Sequence, residues 1–525
     1  MKKLKIFAFA AAAVLFSGIV SSCVQDLDVT PIDDDTVLPE DVLDSQEAFR
    51  QLLAKCYQGL AVSASDGPDS SPDINGVDGG YGQYLRALFN MQELTTDVVA
   101  CCWNDGGLPD LHNITWNASN PFVLSMYYRI FFQISLCNEF IRRSNATDIA
   151  GYDLKNEYIA EARALRLLSY YHAIDMFGNV PFSTENNSVG STGPEQIMRA
   201  DLFDWIVTEA KDLLDGSDLA EPGQNEYGRC DKGFVMMILA KMYLNAEVWK
   251  GTAMYAECAE VCEDIIEAYP ALHDKYSDLF CADNHLWTVN TTYGGDEIIF
   301  AVNQDSDLIR SYGATNFLIF GSIGGEMSAA DYGITSGWSG LSLTGTFTSK
   351  FEENDARALF YKGAYEQYID QLRRESDGWS NGWKSVKFTN VNHDGTVEVT
   401  GFVDTDFPLF RTADAYLMYA ECAARGAADQ TKGQQYLDAV RTRAGVGSIS
   451  LTLDNIIDER GRELYYEGVR RQDLIRFGLF TTDDYLWEFK GGVQQGQAVD
   501  DHFNLFPLTA GDVNANGNLD QNPGY

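Results

Sequence analysis

Two stretches separated by 142 residues constrain this chain most. "AKMYLNAEVWKGTAMYAECAEVCEDIIEAYP" (240–270) and "ADAYLMYAECAARGAADQTKGQQYLDAVRTRAG" (413–445) each alternate Ala with Tyr and Leu at helical spacing, and the first ends in proline. Small residues recurring on one face let paired helices approach closely, and a proline stops the second helix of a pair. Further helices are predicted at 121–145, 155–182, 200–216, 231–249 and 252–269. The clearest is "KNEYIAEARALRLLSYYHAIDMFGNVPF", where Ile159, Ala162, Leu165 and Leu168 recur and "GNVP" breaks the run. Another starts after Ser45, where "SQEAF" offers a cap and an acid in the first turn.

Helix pairs of this composition resemble degenerate tetratricopeptide units. The predicted fold class is mainly α: a tetratricopeptide-like helical-repeat scaffold (41–280 and 411–480) with a long irregular insertion at about 281–410 and a C-terminal segment at 481–525. The insertion is rich in Gly, Thr, Asn and aromatics, with short strands expected at "EIIFAV" (297–302) and "TVEVTGF" (396–402). Insertions on such scaffolds commonly build the binding face. With 45% hydrophobic and 22% charged residues the chain can bury a large core. Its net charge of −39 excludes nucleic acid and anionic membrane patches as partners. A neutral ligand is compatible with it.

The N-terminus reads as an address. Lys2, Lys3 and Lys5 precede an apolar run, Ile6 to Val20, too short to span a bilayer. "VSSC" then places Cys23 where a bacterial lipoprotein signal ends, so residues 1–22 are expected to be removed and Cys23 acylated. Residues 23–40 follow as an acidic tether. Ten cysteines stand at 23, 56, 101, 102, 137, 230, 258, 262, 281 and 422. Without CxxC pairs or clustered histidines, those after Cys23 are expected to be buried thiols, and no disulfide is assigned.

Several stretches in order resemble the SusD/RagB family of surface glycan-binding lipoproteins: "AEARALRLLSYYHAIDMFGNVPF", "ADAYLMYAECAAR", "VRTRAGV", "IIDERGRELYYEGVRRQDLIRFG" and the closing "NGNLDQNPGY". The resemblance implies outer-membrane anchoring through lipid, with the protein facing the cell exterior. It also implies partnership with a SusC-type TonB-dependent porin and no enzymatic activity. "DGPDSSPDINGVDGGYGQYLRALFNMQELTTD" (66–97), "TSGWSG" (335–340) and "FTTDDYLWEFKGG" (480–492) are similar to segments of a starch-binding member, which implies an α-glucan (maltooligosaccharide) ligand. The site so implied is an arc of Trp103, Tyr312 and Trp338. Arg86 and the polar loop with Asp73, Asn75 and Asp78 would assist it. In "WNDGG", Asn104 and Asp105 both stand near the position of a ligand asparagine.

The residue chemistry agrees with that expectation. A sugar ring offers C–H bonds on its faces and hydroxyls at its rim, so aromatic faces and Asp, Asn or Arg are its natural partners. Trp338 lies among Gly and Ser with no apolar run beside it, as a loop that holds its ring outward would. Arg86 is either a rim donor or an ion-pair member, and Asp78 either a ligand or a turn former. Asp404 and Asp406, one residue apart in "FVDTDFPLFR", match an aspartate pair at a calcium site of the starch-binding member. His285 stands at another ligand position of that site, and turn or ladder aspartates are the competing reading. No cofactor is otherwise required. Three rival functions stand beside starch capture: a glycoside hydrolase, the same receptor role for a different polysaccharide, and a helical-repeat scaffold for a protein partner. The last would use the basic, Tyr-rich stretch 460–477.

Overall fold

The computed structural model describes residues 43–64, 67–68, 70–187, 193–287, 297–373 and 379–525. The leader, Cys23 and the tether read from the sequence lie outside them. The first helix, α1 (Gln46–Gln58), starts where Ser45 Oγ accepts the Ala48 amide (3.3 Å). After a Gly-rich loop come α2 (Tyr84–Gln92), α3 (Pro121–Ala146), α4 (Lys155–Met176), α5 (Arg199–Gly216), α6 (Lys232–Leu244) and α7 (Tyr255–Ala268). Asn120 caps α3, with Pro121 at its first position, and Asp231 caps α6 through the Phe234 amide (3.1 Å). These side chains satisfy amide donors that the first turn leaves unpaired.

The insertion carries α8 (Ala314–Ser322), and the chain then returns to α9 (Thr412–Ala424), α10 (Gln430–Arg443), α11 (Leu453–Leu464) and α12 (Arg470–Arg476). Successive helices stack: α3 on α4, α4 on α5, α5 on α6, α6 on α7. The next layer is α9, which packs directly on α7 and then on α10 and α11. The helical stack therefore continues across the insertion as though it were absent. Central α4 is buried on most of its faces, which is why its apolar stripe in the sequence is so wide.

Four strands position the insertion: β1 (Val99–Cys101), β2 (Ile298–Val302), β3 (Leu341–Leu343) and β4 (Phe407–Arg411). β2 pairs antiparallel with β4, Ile298 opposite Arg411, so the two ends of the insertion leave the scaffold side by side. β1 pairs antiparallel with β3, Val99 opposite Leu343 and Cys101 opposite Leu341. The expected strand at "EIIFAV" is β2. "TVEVTGF" is not a strand: it makes only isolated bridges, Val391 with Val397 and Ile334 with Thr400, and Val397 and Val399 are exposed. Alternation alone does not make a strand where no neighbouring ladder is available.

The roots of the insertion are held by buried ion pairs. Arg411 reaches Glu297, Glu463 and Glu467, and Arg443 reaches Glu297 (2.9 Å) and Glu463 (2.5 Å). Burial would push the Glu463 carboxyl up, but Arg443, Arg411 and Arg357 around it hold it down at about 2. The stretch 460–477 belongs to this interior. Arg460, Arg470, Arg471 and Arg476 are buried, and Arg460, Arg470 and Arg476 pair with Asp473, Asp97 and Glu421 respectively. It presents no basic face to a protein partner. Cysteines 56 to 422 are all free and buried, as small apolar groups are. Among the described residues no helix is long and apolar enough to cross a membrane.

Candidate functional site

The glycines of "SGWSGL" are there for close approach. A Cβ on Gly337 would fall 2.2 Å from the Ile323 carbonyl oxygen, and one on Gly340 would fall 2.5 Å from the Trp103 indole. The loop therefore lies flat against the C-terminus of α8. Trp338 N–H donates to Phe320 O (2.7 Å), Ser339 N–H to Ile323 O (3.1 Å) and Gly340 N–H to Gly321 O (2.8 Å). Those carbonyls are ones the helix end cannot satisfy for itself. Trp338 is thus half-buried on a fixed support, its ring packed 5.0 Å from Phe320, and not held out on a free loop.

Strand β1 delivers Trp103 to the same place. Cys102 N–H donates to Gly340 O (2.9 Å), and the next residue lays its indole over Gly340. The indole N–H donates to Trp338 O (3.3 Å), and the two ring centroids are 6.4 Å apart at 52°. Tyr312, just before α8, meets Trp338 edge-on at 5.7 Å and 78°. Trp103 is thereby brought together with Tyr312 and Trp338, more than 200 residues further on, as a contiguous, half-buried row of rings.

Arg86 on α2 ties the row to the scaffold. Its Nη1 donates to Gly80 O (2.7 Å) and Tyr312 O (3.0 Å), and its guanidinium lies 4.1 Å from the Phe317 centroid and 5.7 Å from that of Trp103. Its hydrogen-bond partners are carbonyls and not a carboxylate. The packing draws its pKa down to about 10, opposed by the charges of Cys101, Asp105 and Asp78. Asp78 and Asp105 are both exposed beside it, as is Asn104. Asp78 also accepts the Gly80 amide (2.7 Å), so it both forms the turn and stands at the rim. Tyr81, half-buried between these acids, was not picked out by sequence reasoning; burial and the nearby Asp78 and Asp105 push its phenol up. Asn75 is exposed on the same loop. The structure does not bring Asp73 into the group, because its carboxylate is engaged by buried Arg129 (2.7 Å).

Asp404 and Asp406 act as clips between two segments. Asp404 Oδ1 accepts the Ser306 amide (2.8 Å) and Asp406 Oδ1 the Gln304 amide (2.6 Å), while Asp406 Oδ2 accepts the Tyr227 hydroxyl. Burial raises the Asp406 carboxyl to about 7. A calcium ion takes six to eight oxygens. Here three of the four carboxylate oxygens are already committed, and His285 supplies none. Among the described residues no three His, Cys, Asp or Glu side chains are grouped to hold a metal. These residues do not fit the expected ion, and the ladder reading of the pair is the one the geometry carries.

The class of protein this describes is a helical-repeat scaffold displaying an aromatic surface from its insertion, and the comparisons name it. A family model for the SusD family matches residues 332–525. A relative 32% identical covers 99% of this chain and 98% of its own length, so the chain belongs to the SusD family. That relative is Starch-binding protein SusD of Bacteroides thetaiotaomicron. Among solved structures, a SusD superfamily protein from Parabacteroides distasonis superposes with a TM-score of 0.70 at 20% identity, covering 91% of this chain and 99% of its own. Surface glycan-binding protein A from Bacteroides thetaiotaomicron, in complex with laminarihexaose, superposes with a TM-score of 0.68 at 20% identity and the same coverage. The mainly α fold read from the sequence is the fold of these proteins. SusD-like proteins bind glycans and are not enzymes, and the hydrolase rival falls with that membership.

Proposed function

We propose that this protein captures starch-type α-glucan at the cell surface without cleaving it and passes it to a SusC-type TonB-dependent porin. An acyl chain on Cys23 tethers it to the outer membrane, facing outward. The observation that carries the reading is the row Trp103, Trp338 and Tyr312, with centroid steps of 6.4 and 5.7 Å on a rigid support. Ring faces at successive steps suit the C–H faces of successive sugars, and Asp78, Asn104 and Asp105 at the exposed rim suit their hydroxyls. Each contact is weak, so affinity comes from several contacts made at once on a ligand whose curvature is already set. The relative that covers nearly the whole chain is named for starch. A second reading, the same role for another glucan, is favoured by the laminarihexaose held by a protein of the same fold.

Isothermal titration of the mature protein with maltoheptaose, laminarihexaose and cellohexaose separates these readings. Maltoheptaose is expected to bind and to release no reducing ends on prolonged incubation. Trp338→Ala is expected to lower its affinity about thirtyfold, the equivalent of about 2 kcal/mol at a stacked hot spot. Since Trp338 also packs on Phe320, the variant is expected to melt a few degrees lower. Binding of laminarihexaose alone would replace starch with the second reading. A folded Trp338→Ala protein that binds maltoheptaose as before would place the site elsewhere.

A further inference from the structure

The row of rings does not end at Tyr312. Phe402 lies next, its centroid 6.0 Å from that of Tyr312 with the planes at 27°. The step matches those between Trp103 and Trp338 (6.4 Å) and between Trp338 and Tyr312 (5.7 Å), so four half-buried rings follow one another at nearly even spacing. Phe402 also has a cation beside it: the Arg310 guanidinium sits 5.0 Å from its centroid. At the opposite end of the row, Arg86 stands 5.7 Å from Trp103. The two arginines differ in one respect. Arg86 spends a nitrogen on two backbone carbonyls, whereas Arg310 is exposed. An exposed guanidinium over a ring offers N–H donors to hydroxyls, and the ring beneath it an apolar surface suited to C–H groups.

The segments carrying these two residues are fixed to one another. Asp404 holds the Ser306 amide and Asp406 the Gln304 amide, which clips the 304–312 loop to the 402–406 segment. Thr400 Oγ1 donates to Phe402 O, and Asp404 N–H donates to Asn390 Oδ1 (2.8 Å). Ser311 Oγ donates to Ala61 O (2.8 Å), anchoring the loop to the scaffold beside Tyr312. The ring and the guanidinium are therefore presented by a preorganised frame, as a binding subsite requires.

We propose that Phe402 and Arg310 form a further sugar subsite beyond Tyr312, the ring taking a sugar face and the guanidinium its hydroxyls, so that this protein reads glycan chain length. The inference rests on the glycan-binding reading given above. The test compares a short and a long ligand on Phe402→Ala, Arg310→Ala and the unaltered protein by isothermal titration with maltotriose and maltoheptaose. Each substitution is expected to weaken maltoheptaose about tenfold, the scale of one interface contact, and to weaken maltotriose distinctly less. Equal losses for both ligands would make Phe402 only a prop for Tyr312 and overturn the subsite; so would no loss for either. Arg310 is exposed, so Arg310→Ala decides the matter should Phe402→Ala fail to fold. If the unaltered protein ignores maltooligosaccharides but binds laminarihexaose, the starch reading fails separately. The subsite is then judged by the same contrast between laminaribiose and laminarihexaose. Binding of neither series overturns both.

Discussion

Gly340→Ala would test the aromatic row without removing a ring. The added methyl would sit 2.5 Å from Trp103 Cε2, 2.6 Å from Cζ2 and 2.9 Å from Nε1. Carbon atoms rest at about 3.5–4.0 Å, so the indole and the loop must separate by about 1 Å. The loop is held on both sides, by Gly340 N–H to Gly321 O and by Cys102 N–H to Gly340 O, so the half-buried indole is the part that gives. Its movement breaks the hydrogen bond to Trp338 O, worth about 0.5–1.5 kcal/mol, and shifts one ring out of step with the next. That bond is lost from the free and the bound protein alike and lowers stability; the lost affinity runs from about fivefold, one contact weakened by about 1 kcal/mol, to a whole stacked platform, about thirtyfold. Titration with maltoheptaose should fall in that interval while the melting temperature drops by only a few degrees. Tryptophan emission should shift as the indole moves. A folded Gly340→Ala protein with unchanged affinity and emission would falsify the placement of Trp103 on Gly340 and its part in binding.

Stability should carry a pH signature from Glu93, which is buried just after α2 and accepts the Gly468 amide (2.8 Å). Burial raises its carboxyl to about 8, so between its usual value near ~4.3 and about 8 the folded state holds a proton that the unfolded chain has lost. Its contribution is fully present at low pH and is lost as pH rises through that window, by up to about 1.4 kcal/mol per pH unit. Melting curves should show Glu93→Gln losing less stability than the unaltered protein between pH 5 and 8; parallel curves would refute the assignment. Cys23→Ala should leave the chain unacylated and released from the membrane fraction, and continued membrane retention with the porin absent would contradict the lipid anchor.

The helices were legible because their pairs repeat small and aromatic residues with the period that close packing demands. Helix α8 was not, although it supports Trp338. All nine of its residues are buried, so it has no polar face and no amphipathic period to read. The loop around Trp338 misleads for a related reason. Its glycines suggest freedom, yet Gly337 and Gly340 are small because an Ile323 carbonyl and the Trp103 indole occupy the space a side chain would need. Phe402 was hidden inside a presumed strand, and nothing local marks a phenylalanine whose neighbour is Tyr312, ninety residues earlier. Asp404 and Asp406 read as turn or ladder aspartates ahead of ligands, and the amides of Ser306 and Gln304 that reach them carry the first reading.

The insertion leaves and returns through one doorway, since Ile298 faces Arg411 across the ladder and Glu297 pairs with Arg411 114 residues further on. The entropy of closing such a loop grows only with the logarithm of its length, so doubling it costs about 0.6 kcal/mol, less than a typical buried hydrogen bond. Length between the two roots is therefore almost free, and descendants of this chain can rebuild the whole ligand-facing surface while the helical stack beneath stays as it is. The cost falls on assembly. The seam between α7 and α9 joins residues far apart in the chain, so it should close late, leaving the growing chain with the apolar edge of a half-built stack until it does.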